Sequence, residues 1–510
     1  TQVFDLTTDF RDTIPWVETL SQYLSWNGFY SAGIGKIYHG TLNDDLSWDE
    51  PWSAGSGTYG STGNYAYEKA AVADNVLRDG AVTDTAITKL ADLKTKQPFF
   101  YGVGYVRPHL PFVAPQAYWD LYTTNDLVYP HTDDPAVDAS TYAYTTWGEL
   151  RNYTDIPASG PVSAVQEQNL IHGYYACVSY VDAQLGRLMD ALEAEGLADN
   201  TIVVVWGDHG WHLGDHGQWT KHTNFERATR IPMIIKVPWM PGASQIDALT
   251  EAVDLYPTLL DLCGISEPSH LEGDSLVPLL EAPTSVGDDL ALSQYPRSGN
   301  MGYSMRTDRY RYTEWRVQNS NILVDRELYD HFLDPREDTN VVNQAGYAAD
   351  VATLAAQLQA RLDELSPTAG AVGDQLVSNG EFDAGFTDWV QTENGTADAN
   401  FNILATDGTN GLGADPLLHM EITDGTVDKY RLALEQLVPA QSGKLYTIRF
   451  SARAAADRNV TLLWRNKDNV GSAYLTLNVP ITTQSQIYEF TGVVLANLTG
   501  TDPDGEIRLQ

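Results

Sequence analysis

Three times in this chain a short run that is apolar at nearly every position stops at a cluster of histidine, lysine, arginine or aspartate. Ile202-Val203-Val204-Val205-Trp206 runs into Gly207-Asp208-His209, "PFFYGVGYV" at about 99 to 106 delivers Arg107 and His109, and "GFYSAGIG" at about 28 to 34 leads to Lys36 and His39. Short unalternated apolar runs are the mark of strands covered on both faces, as in a parallel sheet. Parallel strands need crossovers, and from 165 to 195 the residues Leu170, Tyr174, Val178, Val181, Leu185, Leu188 and Leu192 fall three or four apart, which predicts an amphipathic helix. "RIPMIIKVP" (230–238) reads as a further strand and "TEAVDLYPTLLDLCGI" (250–265) as a helix ending at Gly264. The class is α/β. Parallel strands would bring all three polar tips to one edge, where open α/β sheets bind ligands.

From about 285 the texture changes to "ALSQYPR", "MGYSMRTDRYRYTEW" and "RELYDHFLDPRED", short alternating runs that predict a small antiparallel subdomain (285–365) closed by the helix "AADVATLAAQLQARLDEL". "SPTAGAVGD" (366–374) reads as a linker of small residues. Beyond it, residues 375–510 are rich in Thr, Asn, Gly and Val, and runs such as "LYTIRFSARAA", "VTLLWRN" and "QIYEFTGVV" predict a separate β-sandwich.

Acidic residues outnumber basic ones 68 to 31, a net charge of -37 that excludes nucleic acid and anionic membrane surfaces as partners. No run approaches the roughly 20 apolar residues of a membrane helix. The opening "TQVFDLTTDFRD" has no signal-peptide pattern. Cys177 and Cys263 are expected to be free thiols.

Against that acidic background "WGDHGWHLGDHGQWTKHTNFERATRIP" (206–232) is unusual, for it gathers His209, His212, His216, His222 and Lys221 with little aliphatic material. An anionic substrate would be repelled by the global field unless a local basic pocket captured it, and Lys36, Arg107, His109, Lys221, Arg227 and Arg230 are candidates to build one. Asp208 and His209 can ligate a divalent cation, or form a hydrogen-bonded turn. Oxygen-rich ligation suits Ca²⁺ or Mg²⁺. His212 and His216, four apart, would suit zinc on a helix, which Gly210, Gly214 and Gly217 argue against. His109, between two prolines, suits a positioned proton donor.

Together, "VVVWGDHGWHLGDHGQWTKHTNFERATRIPMIIKVP", "GIGKIYHG", "VGYVRPHLPF" and "SQYPRSGNMGYSMRTDRYRYTEW" resemble the sulfatases of the alkaline phosphatase superfamily, most closely the iduronate-2-sulfatase type, over roughly 1–365. The resemblance implies an alkaline-phosphatase-like, mostly parallel sheet flanked by helices. It also implies roles: Asp208 and His209 as Ca²⁺ ligands beside the sulfate, Lys36 and Lys221 on sulfate oxygens, His39 at the hydroxyl of the nucleophile, and His109 protonating the departing sugar oxygen. Trp211, Arg107 and Arg297 would meet the sugar. The family's nucleophile is a formylglycine made from Cys or Ser in C/S-x-P-x-R, a motif these 510 residues do not contain. The expectation is an N-terminally truncated sulfatase, secreted or periplasmic in its parent form, inactive as this chain alone. "NGEFDAGFTDW" looks like the start of a jelly-roll carbohydrate-binding module, with Trp389, Tyr446, Trp464 and Arg465 as candidate sugar contacts and Glu381 and Asp383 as candidate calcium ligands. Alternatives are a phosphodiesterase or phosphonate hydrolase of the same superfamily, and a catalytically silent glycan-binding protein.

Overall fold

The computed structural model describes residues 8–13 and 17–365, apart from positions 41, 43, 45, 46, 51, 241, 269, 286, 319 and 321, together with strand segments between Val390 and Leu509. The chain divides into two compact units, one over Glu18–Thr368 and one over Ala369–Gln510 with Thr8–Val17.

In the first unit the elements that carry the site are β1 (Tyr30–Gly35), β2 (Tyr67–Ala70), α1 (Arg78–Leu93), β3 (Phe99–Gly104), β4 (Phe112–Pro115), α2 (Ala164–Ala194), β5 (Val203–Trp206) and β6 (Met233–Lys236). β1 pairs with β3 and β2 with β4, both parallel, so Lys36 and the loop of His109 do leave their strands in the same direction. β5 pairs with β6 antiparallel, because the 207–232 loop doubles the chain back on itself. Among the described residues the sheet is therefore a set of two-stranded pieces rather than one mostly parallel ladder. β3 and β5 both pack Phe99, Tyr101 and Val203 against the same Leu90, Leu192 and Leu197 cluster, yet no ladder joins them. β5 is in consequence half-buried, and Trp206 is 52% exposed.

α2 starts where Ser163 accepts from the Gln166 amide while the Gln166 side chain accepts from the Ser163 amide, a reciprocal cap that stabilises by roughly 1 kcal/mol. Its buried stripe agrees with the one expected at Leu170 and Leu192 and departs from it between them, where Ile171, Gly173, Ala176, Cys177, Tyr180 and Gln184 face inward and Val178 is 45% exposed. Close packing selects the small residues. A Cβ on Gly173 would lie 2.9 Å from Phe112 Cβ, so the helix axis approaches β4 more closely than large side chains permit. Cys177 is buried and Cys263 half-buried, both as free thiols.

Gly35 sets the direction of the first polar tip. Its φ is +84°, and an added Cβ would lie 2.0 Å from the Gly104 carbonyl, the same oxygen that accepts the Lys36 amide at 2.8 Å. Gly35→Ala is expected to lower stability by about 1–3 kcal/mol, read from the urea midpoint; an unchanged midpoint would mean that this turn relaxes freely.

The antiparallel subdomain is present as expected: β7 (Ala291–Arg297), β8 (Asn300–Arg306), β9 (Tyr310–Val317) and β10 (Leu323–Asp330) form a four-stranded meander. α3 (Ala348–Glu364) covers it, placing Val351, Leu354 and Leu358 against Met305, Tyr312 and Leu328. In the second unit every described pairing is antiparallel, and Val390–Glu393, Leu432–Leu437, Gly505–Leu509, Arg458–Asn466 and Ala473–Ile481 form one five-stranded sheet in that order. The linker at 366–374 and Trp389, Glu381 and Asp383 lie outside the described residues, as do the side chains of Tyr446, Trp464 and Arg465. No helix among the described residues is long and apolar enough to cross a membrane.

Candidate active site

The loops after β3 and β5 meet at one cluster. Lys221 Nζ lies 2.5 Å from His109 Nε2 and 3.1 Å from Glu149 Oε1, and that carboxylate oxygen is 2.7 Å from His109 Nε2. His109 Nδ1 faces the Leu110 carbonyl at 2.8 Å, an acceptor that holds a proton on that nitrogen, and Nε2 is the ring nitrogen turned toward Lys221 and Glu149. Trp211 forms the wall: its ring centroid is 5.3 Å from that of His109 and 5.9 Å from that of His209, and the Lys221 ammonium stands 5.3 Å from it.

Asp208 and His209 flank this cluster. His209 Nε2 is 3.7 Å from Asp208 Oδ1, and its Nδ1 is held by the Gly210 carbonyl at 2.8 Å, the second-sphere arrangement that leaves the other nitrogen free for a metal. Gly210 is needed for this, since a Cβ there would sit 2.1 Å from the Arg227 carbonyl. The Asp208 side chain is 72% exposed. One carboxylate oxygen and one neutral imidazole fit one side of a divalent cation, with further oxygens required to complete a Ca²⁺ shell.

Electrostatics tie the residues together. Burial lowers the Lys221 ammonium's proton affinity, Glu149 and Asp208 oppose that, and Lys36 adds to it, so all of these charges sense one another. Burial likewise holds the His209 imidazole below its usual range against the pull of Asp208. Burial disfavours the Glu149 carboxylate, yet the hydrogen bond and charge of His109 and the charge of Lys221 hold it down at about 2. Burial and then Lys221 push His222 down to about 4. Three buried polar atoms around this centre, Glu149 Oε2, Trp211 Nε1 and His222 Nε2, have no hydrogen-bond partner among the described residues, so they are available to a polar ligand.

Lys36 is exposed at the rim, and His39 is exposed three residues further on, with no hydrogen bond to the cluster among the described residues. Arg297, at the end of β7, spends donors on the carbonyls of Tyr142 and His222 and lies over the Tyr295 ring, against which His222 stacks.

Arg107 departs from its expected place. The residue is 6% exposed and its guanidinium donates to the carbonyls of Val113, His109 and Tyr59, so it clamps the His109 loop and spends its donors on backbone. Arg227 and Arg230 also stay out of the pocket, with side chains 61% and 80% exposed. His212 bonds Thr223 Oγ1 and His216 the Arg336 carbonyl, both buried against Phe225, and among the described residues neither joins a cluster of metal-ligating groups.

A second group with ligand geometry, Glu226, His331 and Glu337, holds its donor atoms within 4.8 Å of one another. It already has a cation. The Arg311 guanidinium bonds Glu337 Oε1 at 2.5 Å and Glu226 as well, with Glu337 Oε1 also 3.0 Å from His331 Nε2. This buried network fastens the helical turn that ends the active-site loop to β9.

Buried cationic and imidazole groups beside a carboxylate–imidazole pair, gathered at the loop ends of an α/β unit, suit the binding of an oxyanion. Residues 7–265 match the sulfatase family and 214–366 the C-terminal part of N-sulphoglucosamine sulphohydrolase. The chain belongs to the sulfatase family, the sulfuric ester hydrolases. It is 30% identical over 443 residues to iduronate 2-sulfatase of Mus musculus, with 68% of this chain and 80% of that protein covered. It is also 30% identical over 362 residues to a sulfatase of Formosa agariphila, covering 66% and 68%. Among solved structures, one bound to its substrate D-glucosamine-2-N,6-O-disulfate matches with TM-score 0.54 at 23% identity, covering 68% of this chain and 83% of that one. A phosphonate monoester hydrolase from Silicibacter pomeroyi matches with TM-score 0.52 at 23% identity, covering 68% and 80%, so the fold by itself does not select the ester.

Proposed function

We propose that this protein hydrolyses sulfate esters on a sulfated sugar in the manner of the iduronate-2-sulfatases. The observation that carries the reading is the meeting of Lys221, His109 and the Asp208–His209 pair around one indole. Lys221, with Lys36 at the rim, holds sulfate oxygens as charge builds on them, in a pocket where burial strengthens each contact. With Nδ1–H held by the Leu110 carbonyl, His109 acts as the imidazolium, whose second proton, on Nε2 and facing the Glu149 carboxylate at rest, passes to the departing sugar oxygen and leaves a neutral ring, sparing the expulsion of a bare alkoxide. Asp208 and His209 hold the divalent cation, Ca²⁺ in preference to Mg²⁺, which when bound polarises the sulfuryl oxygens. The nucleophile in this reading is a formylglycine from a C/S-x-P-x-R segment, and His39 stands at its hydroxyl. Trp211 and Arg297 line the sugar's approach. The second unit is a jelly-roll module that binds glycan, and the protein works outside the cytoplasm, secreted or periplasmic.

The test is sulfate release from sulfated uronates, hexosamines and algal sugars, measured for this chain alone and joined to a formylglycine-bearing C/S-x-P-x-R segment. Release is expected only from the joined form. Turnover by the 510 residues alone would refute the nucleophile assignment, and faster cleavage of phosphonate esters than of sulfate esters would refute the substrate class.

A further inference from the structure

Glu149 belongs to none of the motifs that identify the family, yet its carboxylate is the group around which the site's two proton-bearing side chains are arranged. One oxygen lies within hydrogen-bond distance of both Lys221 Nζ and His109 Nε2, and the other is buried without a partner. Its charge is felt across the pocket, raising the proton affinity of the Tyr59, Tyr153 and Tyr295 hydroxyls behind burial itself. An anion placed beside a subsite for a second anion opposes binding there by simple Coulomb repulsion. Its presence has a physical reason: the Lys221 side chain is only 14% exposed, and a buried ammonium left without a counter-charge is strongly destabilising.

We propose that Glu149 is the resident counter-anion of the sulfate subsite, a positioning residue that holds Lys221 and His109 in place and yields the ammonium to an incoming sulfuryl group. This rests on the sulfatase reading of the pocket. The carboxylate competes with sulfate for Lys221, so it limits how tightly the product sulfate is retained. Substituting it by a neutral group of similar size strengthens sulfate binding, a direction that loss of a merely structural contact does not produce.

The experiment is calorimetric titration of the full 510-residue chain with inorganic sulfate, calcium present, for the wild type and for Glu149→Gln, Glu149→Met and Glu149→Asp. Circular dichroism establishes which variants are folded. Both neutral variants are expected to bind sulfate roughly 10-fold more tightly than the wild type, the effect of removing one like charge at pocket distance. Glu149→Asp keeps the charge and is expected to stay within about threefold of the wild type. A folded neutral variant that binds sulfate no more tightly than the wild type overturns the inference while the sulfatase reading stands. Absence of sulfate binding in the wild type and every variant overturns the anion subsite and this inference with it.

Discussion

Replacing His109 with alanine, in the form that carries its nucleophile, is expected to lower kcat on sugar sulfates by about 10³-fold and on a nitrophenyl sulfate by less than about tenfold. The difference lies in the leaving group. A sugar alkoxide is a strong base that departs only with a proton, whereas a nitrophenolate leaves unaided, so a proton donor matters to one and hardly to the other. The Leu110 carbonyl fixes the tautomer and the Arg107 clamp fixes the loop, which is why Nε2 is the atom presented. Equal losses on both substrates would instead make His109 a holder of sulfate and assign the proton to another group.

Arg311→Met is expected to destabilise the first unit by about 3–5 kcal/mol, measured by urea denaturation, because it leaves Glu226 and Glu337 buried around a missing cation. The effect has a pH signature. Burial resists ionisation of Glu337, yet Arg311 and His331 hold its carboxyl at about 2, below its ordinary 4.5. A carboxyl depressed in the folded state adds stability that is complete above the unfolded value and is lost as pH falls from about 4.5 toward 2. The wild type should therefore lose part of its margin in that interval, and the variant should not. A loss under about 1 kcal/mol at neutral pH would show that His331, 3.0 Å from Glu337, and Arg306, whose Nε lies 3.4 Å from Glu226 Oε2, suffice as counter-charges.

What was legible in the sequence is what has a local period. The runs at 99–106 and 202–206, the helix at 165–195 and the alternating subdomain were readable because one face of each element is set by near neighbours in the chain. Strand direction was not, since nothing within Val203–Trp206 records that Met233–Lys236 returns beside it antiparallel. Helix phase was legible in part: Leu170 and Leu192 are buried and Tyr174 packs on Phe112 of β4, but the close approach at Gly173 and the burial of Ala176 and Cys177 leave no trace in a pattern of large apolar residues. At the site, Lys221, His109, Asp208, His209 and Trp211 are brought together, but the direction of a long side chain cannot be read from its place in a motif. Arg107 turns inward to carbonyls, and Arg227 and Arg230 turn out to water. Glu149 gave no signal, as one acidic residue among 68 in an irregular segment.

The indole of Trp211 touches the His109 imidazole, the Lys221 ammonium and the His209 imidazole at once. Any movement of that ring is therefore felt by all three side chains through a single rigid plane. A Trp211→Ala exchange would free His109, Lys221 and His209 from their common wall in one step, so their three positions stand or fall together.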